Sequence, residues 1–166
     1  EDGSFGTAGS IDKGRNLNSS YFESSASVTE DENFIFFVSD RPGGKGQADV
    51  YTARKIGNEW TKPINLGDSI NSEGDENSVF IHPDGDILFF TSTGHEGMGS
   101  YDIFYSKKVN GIWSKAKNLG FPINTVGAEK TISVTRDLKT AYVSSNYKGS
   151  FGGTDIFKID LSKIKF

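Results

Sequence analysis

Short apolar runs separated by turn-forming residues recur along this chain. In one stretch, residues 78–82 (SVFIH) form a short β-forming run, Pro83-Asp84-Gly85 follows, and residues 87–91 form a nearly continuous apolar run. Pro fixes φ at one central position of a turn, and Gly tolerates positive φ at another. A continuous apolar run is typical of a strand that is covered on both faces. The pattern predicts a first strand, a turn and a buried second strand.

The same stretch continues with two more predicted strands. A Gly-rich loop, 92–101, leads to the β-forming run 102–106. Asn110-Gly111 is a strong two-residue hairpin signal, and Trp113 follows it on a strand that we expect to run towards Leu119. The stretch therefore predicts four antiparallel strands, which we label a to d in chain order.

This unit occurs three times at a constant step of 53 residues, without insertion or deletion. The repeats are 19–71, 72–124 and a shortened 125–166, and they follow an N-terminal segment, 1–18. A step of about 50 residues with four strands is typical of the blades of a β-propeller. We predict an all-β fold of three four-stranded blades in a single domain, 1–166. The aligned positions include Glu23, Glu76 and Glu129; Asp49, Asp102 and Asp155; and Trp60 with Trp113.

Three blades do not close a ring, because propellers usually have four to eight. The chain is therefore either part of a longer propeller, half of a ring made by two copies, or an open stack whose edges are capped by other chains. Residues 1–18 are a candidate closing strand d, but Thr7 occupies the Trp position. We also expect exposed apolar faces on the terminal blades, with Phe37 and Phe157 on them.

Composition narrows the function. The formal net charge of −4 does not favour a nucleic-acid partner. No cysteine is present, so a disulfide framework and a thiol nucleophile are excluded. The longest apolar run, 34–38, is far shorter than a membrane span, so no transmembrane segment is predicted.

The residues that recur in every repeat have structural interpretations. An Asp at the start of each strand c can accept hydrogen bonds from N–H groups of the preceding Gly-rich loop. We assign that role to Asp49, Asp102 and Asp155, and we assign packing between blades to Trp60 and Trp113. For the glutamates that open each strand a, structural capping and lining of a central channel both remain open.

Three stretches carry a family resemblance: 23–51, 76–105 and 129–158. They resemble the TolB-like, WD-like β-propeller repeats of bacterial envelope proteins, whose pattern runs approximately S-P-D-G-x-x-L-x-F-x-S-D-R-x-G-x-x-D-I-Y. The R-P-G-G version with a trailing W-x-x-P-x-N-L-G-x-x-I-N is similar to the variant of Bacteroidetes proteins. The second and third copies replace D-R by Thr93-Gly94 and Asn146-Tyr147.

The resemblance implies a non-enzymatic binding or scaffolding module of the periplasm or outer membrane, with a protein or peptidoglycan-associated partner. In a propeller, the d-to-a and b-to-c connections lie on one face around the channel mouth, and variable loops on a rigid scaffold are where partners usually bind. The candidate binding residues on that face are Glu23, Glu76, Glu129, Arg41, Lys45, His95, Glu96, Tyr147, Lys148 and Phe151.

Catalytic and metal-binding constellations are weak in this sequence. We interpret His82 as a turn residue, and His95 beside Glu96 supplies too few ligands for a metal site. Acidic runs at 30–32 and 73–76 lack the alternating spacing of calcium loops. We predict no catalytic residues, no metal and no cofactor. The alternative function is a glycan-binding or glycan-hydrolysing propeller, which needs an aromatic platform and a carboxylate pair.

Overall fold

The structure is a computed structural model that describes residues 8–12 and 16–166. It confirms the prediction of an all-β fold, because the described residues form antiparallel strands in three separate sheets. No helix in these ranges is long and apolar enough to cross a membrane. The strands are β1 (Glu23–Val28), β2 (Phe34–Ser39), β3 (Asp49–Ile56), β4 (Glu59–Trp60), β5 (Ile64–Asn65), β6 (Glu76–Ile81), β7 (Ile87–Ser92), β8 (Asp102–Val109), β9 (Ile112–Trp113), β10 (Lys117–Asn118), β11 (Glu129–Val134), β12 (Thr140–Ser145) and β13 (Asp155–Asp160).

Each sheet corresponds to one repeat. Blade 1 contains β1 to β5, blade 2 contains β6 to β10, and blade 3 contains β11 to β13. The first three strands of each blade are strands a, b and c, and they pair as antiparallel neighbours. The sheets formed by the described residues do not close into a ring. In the described part of blade 3 no strand d pairs with β13.

Strand d differs from the prediction, because it consists of two short pieces in blades 1 and 2. Between the two pieces, a side-chain hydroxyl group of strand d accepts a hydrogen bond from a backbone N–H group of strand c. Thr61 Oγ1 accepts a hydrogen bond from the Arg54 N–H at 3.0 Å, and Ser114 Oγ accepts one from the Lys107 N–H at 3.1 Å. Since a side chain satisfies the N–H group of strand c there, the backbone of strand d turns away and its ladder is interrupted.

The core lies between consecutive blades. Between blades 1 and 2, the buried side chains include Phe36, Val50, Leu88 and Phe90. An aromatic ring at the predicted Trp position packs against the preceding blade. Trp113 meets the Phe36 ring edge-on with centroids 5.9 Å apart.

The third repeat has the same aromatic contact. Phe166, 53 residues after Trp113, meets the Phe89 ring edge-on at 5.3 Å. Phe89 lies 53 residues after Phe36, so both partners of the contact recur in register. The aromatic residue at this position therefore joins blade 2 to blade 1 and blade 3 to blade 2. Trp60 does not show the predicted packing between blades, because it is buried in a cluster of blade 1 and the N-terminal segment with Ile35 and Leu17.

The predicted exposure of Phe37 and Phe157 is wrong. Phe37 is only 4% exposed, because its ring stacks on Tyr51 and the N-terminal segment adds Leu17 to the same cluster. Phe157 is half-buried and packs against Tyr147. Successive strand residues point to opposite faces of a sheet, and the face of Phe157 is the one turned towards blade 2.

Candidate binding face

The loops that carry the candidate binding residues lie together, as expected for one end of a propeller. We call this surface the loop face: it consists of the b-to-c loops 40–48, 93–101 and 146–154 and the d-to-a connections 66–75 and 119–128. Backbone hydrogen bonds of 2.9 Å join the first b-to-c loop to the first connection, from Gln47 N–H to Gly74 C=O and from Glu76 N–H to Ala48 C=O. The second loop and second connection are joined in the same way.

The recurring aspartates hold the b-to-c loops. Asp102 accepts hydrogen bonds from the N–H groups of Met98, at 2.8 Å, and Gly99, at 3.0 Å. Asp49 accepts corresponding bonds from Lys45 and Gly46, and Asp155 accepts one from Phe151. A Cβ atom on Gly97 would lie 2.0 Å from the Asp102 carboxylate, which explains why the loop needs glycine there. Each Asp therefore fixes the backbone of its own loop.

The recurring glutamates hold the d-to-a connections. Glu76 accepts hydrogen bonds from Ser72 Oγ at 2.6 Å, from Ser92 Oγ at 2.7 Å and from the Ser72 N–H. Thr125 and Ser145 surround Glu129 in the same way. The ladder shifts register immediately after each of these glutamates.

The side chains of Glu76 and Glu129 are fully buried, so the predicted exposure of these two glutamates at a channel mouth is corrected. Their hydroxyl donors lie four residues upstream and at the end of strand b, and these donors enclose the carboxylates inside the loop face. Glu23, in blade 1, retains a side chain that is 18% exposed.

The three glutamates differ in electrostatic environment. Burial raises the pKa of Glu76 and of Glu129, and the hydrogen bonds from the hydroxyl groups offset that effect only in part. For Glu23, burial also acts to raise the pKa, but hydrogen bonds from Ser19 and Ser39 and the charge of Arg41 together lower it below its ordinary value. Arg41 forms an ion pair with Glu23 at 3.0 Å.

Three predicted binding residues use their side chains for hydrogen bonds within the protein. Each lies in a b-to-c loop and donates a hydrogen bond to a backbone carbonyl group at one position of the repeat, numbered 17, 70 and 123. The chemical nature of the donor differs in every blade. The pairs are Arg41 with Leu17 at 2.6 Å, His95 with Ile70 at 2.7 Å, and the hydroxyl of Tyr147 with Ile123.

A recurring asparagine that sequence reasoning did not identify joins each connection to strand c. Asn71 accepts a hydrogen bond from the Val50 N–H at 2.8 Å and donates one to the Val50 C=O at 3.1 Å. Asn124 forms the same pair of bonds with Ile103, at 2.8 Å each. Both asparagines are fully buried. The matching "IN" endings of the first two repeats were the available signal.

The remaining predicted binding residues are exposed. Lys45, Glu96 and Lys148 lie on three different loops, and Lys45 forms an ion pair with Asp68 at 3.0 Å. Phe151 is fully exposed although Asp155 fixes its backbone N–H. Sequence reasoning missed further exposed apolar side chains of the loop face: Met98, Phe121 and Val126.

The loop face also has a shallow depression but no metal centre. The depression has a volume of about 470 Å³, and its lining includes Lys45, Asp68, His95 and Lys115. Within residues 8–12 and 16–166, no group of three or more His, Asp or Glu side chains is arranged to hold a metal ion. His95 cannot offer both ring nitrogens to a ligand, because its Nε2 is engaged with Ile70.

Comparison with known proteins identifies the class of fold. TolB from Acinetobacter baumannii superposes with a TM-score of 0.60 at 18% identity, over 92% of this chain and 32% of that chain. A putative TolB from Agrobacterium tumefaciens gives a TM-score of 0.61 at 13% identity, over 91% of this chain and 48% of the other. No family model matches the chain. No curated protein matches it.

The chain therefore has the fold of the TolB-like propellers, and it spans about a third to a half of the length of these two structures. At these identities the likeness establishes the fold alone.

Proposed function

We propose that this chain is a non-enzymatic binding or scaffolding module of a bacterial cell-envelope protein, in the periplasm or at the outer membrane. Its partner is a protein or a peptidoglycan-associated molecule that docks on the loop face. The TolB-like fold and the repeat pattern of the Bacteroidetes envelope variant support this assignment. The fold alone would not be enough to support this assignment, because one fold serves many functions.

The observation that carries the proposal is an exposed apolar residue on a fixed backbone. Phe151 is fully exposed, while the Asp155 carboxylate accepts a hydrogen bond from its N–H. A large apolar side chain held in water has a hydration cost that a partner surface relieves, and aromatic residues dominate binding energies at protein interfaces. Lys148 in the same loop adds a charge that can select the partner.

The buried glutamates argue against glycan hydrolysis at the loop face. A glycosidase needs two carboxyl groups that flank the scissile bond. Glu76 and Glu129 have no exposed surface, and their hydrogen bonds hold backbone connections. A hydrolase panel tests this directly: turnover by the chain that Glu76→Gln abolishes would refute the non-enzymatic assignment.

Site-specific crosslinking tests the docking surface. Phe151 is replaced by p-benzoylphenylalanine, and the protein is irradiated with outer-membrane proteins and, separately, with peptidoglycan fragments. We expect a crosslink from residue 151 that Lys148→Glu weakens. The matched control places the same probe at Val109, which is 59% exposed on the hairpin between strands c and d. Equal crosslinking from both positions would mean that the loop face is not the docking surface, and a glycan array scores the alternative ligand class.

A further inference from the structure

Matching positions of the loop face carry opposite chemistry in two consecutive repeats. Three positions are charged in the first repeat, and each of them is apolar 53 residues later. The pairs are Lys45 with Met98, Asp68 with Phe121, and Glu73 with Val126. The same scaffold therefore accepts both sets of side chains, and folding alone does not explain the apolar set.

The three apolar side chains lie on two segments that contact each other. Met98 is in the second b-to-c loop and is 46% exposed, whereas Phe121 and Val126 are in the second connection and are 79% and 90% exposed. The Ser100 N–H donates a hydrogen bond to the Gly127 C=O at 2.9 Å, so the loop lies directly against the connection. We call these three side chains the apolar patch.

The first repeat shows how close two of these positions are. The Lys45 Nζ and a carboxylate oxygen of Asp68 are 3.0 Å apart there. Met98 and Phe121 occupy the same two positions in the second repeat, so two apolar side chains replace an ion pair. Exposed apolar side chains that cluster mark interaction sites, whereas single ones are normal on a protein surface.

The backbone beneath the apolar patch is fixed. The Met98 N–H donates a hydrogen bond to the Asp102 carboxylate at 2.8 Å. On the connection, a hydrogen bond of 3.1 Å from the Gly127 N–H to Thr125 Oγ1 spans Val126. A surface that is already ordered loses little conformational entropy when a partner docks on it.

The neighbouring part of the loop face has an excess of negative charge. Loop 40–48 and connection 66–75 contain four carboxylates but only two cationic side chains, Arg41 and Lys45. Both cations already form ion pairs, Arg41 with Glu23 and Lys45 with Asp68. The four carboxylates are Asp40, Asp68, Glu73 and Asp75. A molecule on the loop face therefore meets an apolar surface beside an acidic one.

We propose that the apolar patch docks an amphipathic segment of a partner protein. Its apolar side chains cover Met98, Phe121 and Val126, and its Lys or Arg residues lie over the acidic part. This inference rests on the binding function proposed above and names the chemistry of the partner. An anionic membrane attracts basic rather than acidic surfaces, and a polar glycan strand would leave the apolar patch in water.

Exchanging the chemistry of the two repeats tests the apolar patch. In the double variant Met98→Lys with Phe121→Asp, the second repeat receives the two residues that form an ion pair in the first. Because the scaffold already carries that pair, the midpoint of thermal unfolding should stay within about 4 °C of the wild-type value. The matched control, Val109→Lys with Ile112→Asp, makes the same change at exposed residues of a c–d hairpin, away from the loop face.

Site-specific crosslinking identifies the class of the occupant. Phe121 is replaced by p-benzoylphenylalanine, and the protein is irradiated separately with outer-membrane proteins, peptidoglycan fragments and phosphatidylglycerol vesicles. We expect a crosslink to a protein, through a segment that contains apolar residues and Lys or Arg. Crosslinks to peptidoglycan fragments or vesicles alone, or to a protein segment without basic residues, would overturn the proposal.

The crosslinked segment is then sequenced and synthesised, and its binding is measured by fluorescence anisotropy. The double variant at 98 and 121 should weaken binding at least about tenfold, whereas the hairpin control should bind like wild type. A segment with Glu in place of its Lys and Arg residues should also bind about tenfold more weakly. Unchanged binding in either comparison, or equal weakening by the hairpin control, would overturn the proposal.

The result at residue 151 separates this inference from the proposed function. A protein crosslink from residue 151 without one from residue 121 would overturn docking on the apolar patch, while the loop face would remain the docking surface. The absence of crosslinks from both positions would overturn both.

Discussion

Blades 2 and 3 are built from the same repeat, yet the burial of their side chains differs strongly. All six residues of β7 are buried, whereas exposed or half-buried residues alternate with buried ones along β12 in blade 3. The first five residues of β8 are buried, and none of those in β13 is. The strand register determines on which face of the sheet a side chain lies, but contact with the neighbouring blade determines whether that face is buried.

The face that blade 3 turns away from blade 2 has also diverged in composition. Where blades 1 and 2 have a mostly apolar set, blade 3 keeps two large side chains, Tyr142 and Ile156, among polar ones. The aligned sets are Phe34, Phe36, Val38, Val50 and Thr52; Ile87, Phe89, Thr91, Ile103 and Tyr105; and Thr140, Tyr142, Ser144, Ile156 and Lys158.

The largest expected effect compares Phe89→Ala with Tyr142→Ala at the same register. Phe89 is fully buried between Tyr105 and Phe166, so truncation should cost about 3–5 kcal/mol of unfolding free energy. Tyr142 is partly exposed, and its truncation should cost less than about 1 kcal/mol in the monomer. Urea unfolding at low protein concentration measures both. Equal costs at low concentration would mean that the faces of blades 2 and 3 are equally covered within one chain.

The sequence predicted the blades because local signals and the repeat agree. Asn110 and Gly111 both adopt positive φ, as their hairpin signal requires, and the loop-holding role assigned to Asp102 corresponds to the hydrogen bonds in the structure. Interruption of strand d was not predictable from apolar patterning, because it depends on the hydroxyl groups of Thr61 and Ser114 in the ladder.

The candidate site was less predictable, because the feature that its three loops share is a backbone carbonyl acceptor, which every residue carries and no sequence pattern marks. Arg41, His95 and Tyr147 share no side-chain chemistry, and only their common acceptor position relates them. Variation at these positions resembles the variation of binding residues. A sequence also does not show how deeply a carboxylate is buried. The burial of Glu76 could be recognised only from the positions of Ser72 and Ser92, which donate hydrogen bonds to it in the structure.

An intermediate effect compares the loop-holding aspartates of blades 2 and 3. Asp102→Ala should destabilise the chain by about 1–3 kcal/mol, since the Met98 and Gly99 N–H groups lose their acceptor. Asp155 is half-buried and accepts one such bond, so Asp155→Ala should cost about 1 kcal/mol or less.

Thermal unfolding beside a partner-binding assay measures the aspartate variants. Glu59→Ala is the matched control, because this carboxylate is exposed and lies outside the loop face. Unchanged stability of Asp102→Ala together with lost binding would assign this Asp to the partner rather than to the loop.

The smallest effect is a difference in pH dependence between the glutamates of blades 1 and 2. Burial raises the pKa of Glu76 above 4.5, so ionisation costs more in the folded chain than in the unfolded one. The stability that Glu76 contributes is therefore complete below pH 4.5 and is lost as pH rises through its folded pKa. The pKa of Glu23 is lowered, so its contribution is present above pH 4.5 and is lost as pH falls.

Glu76→Gln and Glu23→Gln separate these two signs. Relative to wild type, the cost of Glu76→Gln should shrink between pH 4 and pH 7, whereas the cost of Glu23→Gln should grow over the lower part of that range and then stay constant. Urea unfolding at several pH values measures both, with the exposed Glu73→Gln as a control that has no buried carboxylate. Parallel profiles for the two variants would mean that Arg41 and the greater exposure of Glu23 do not distinguish its environment from that of Glu76.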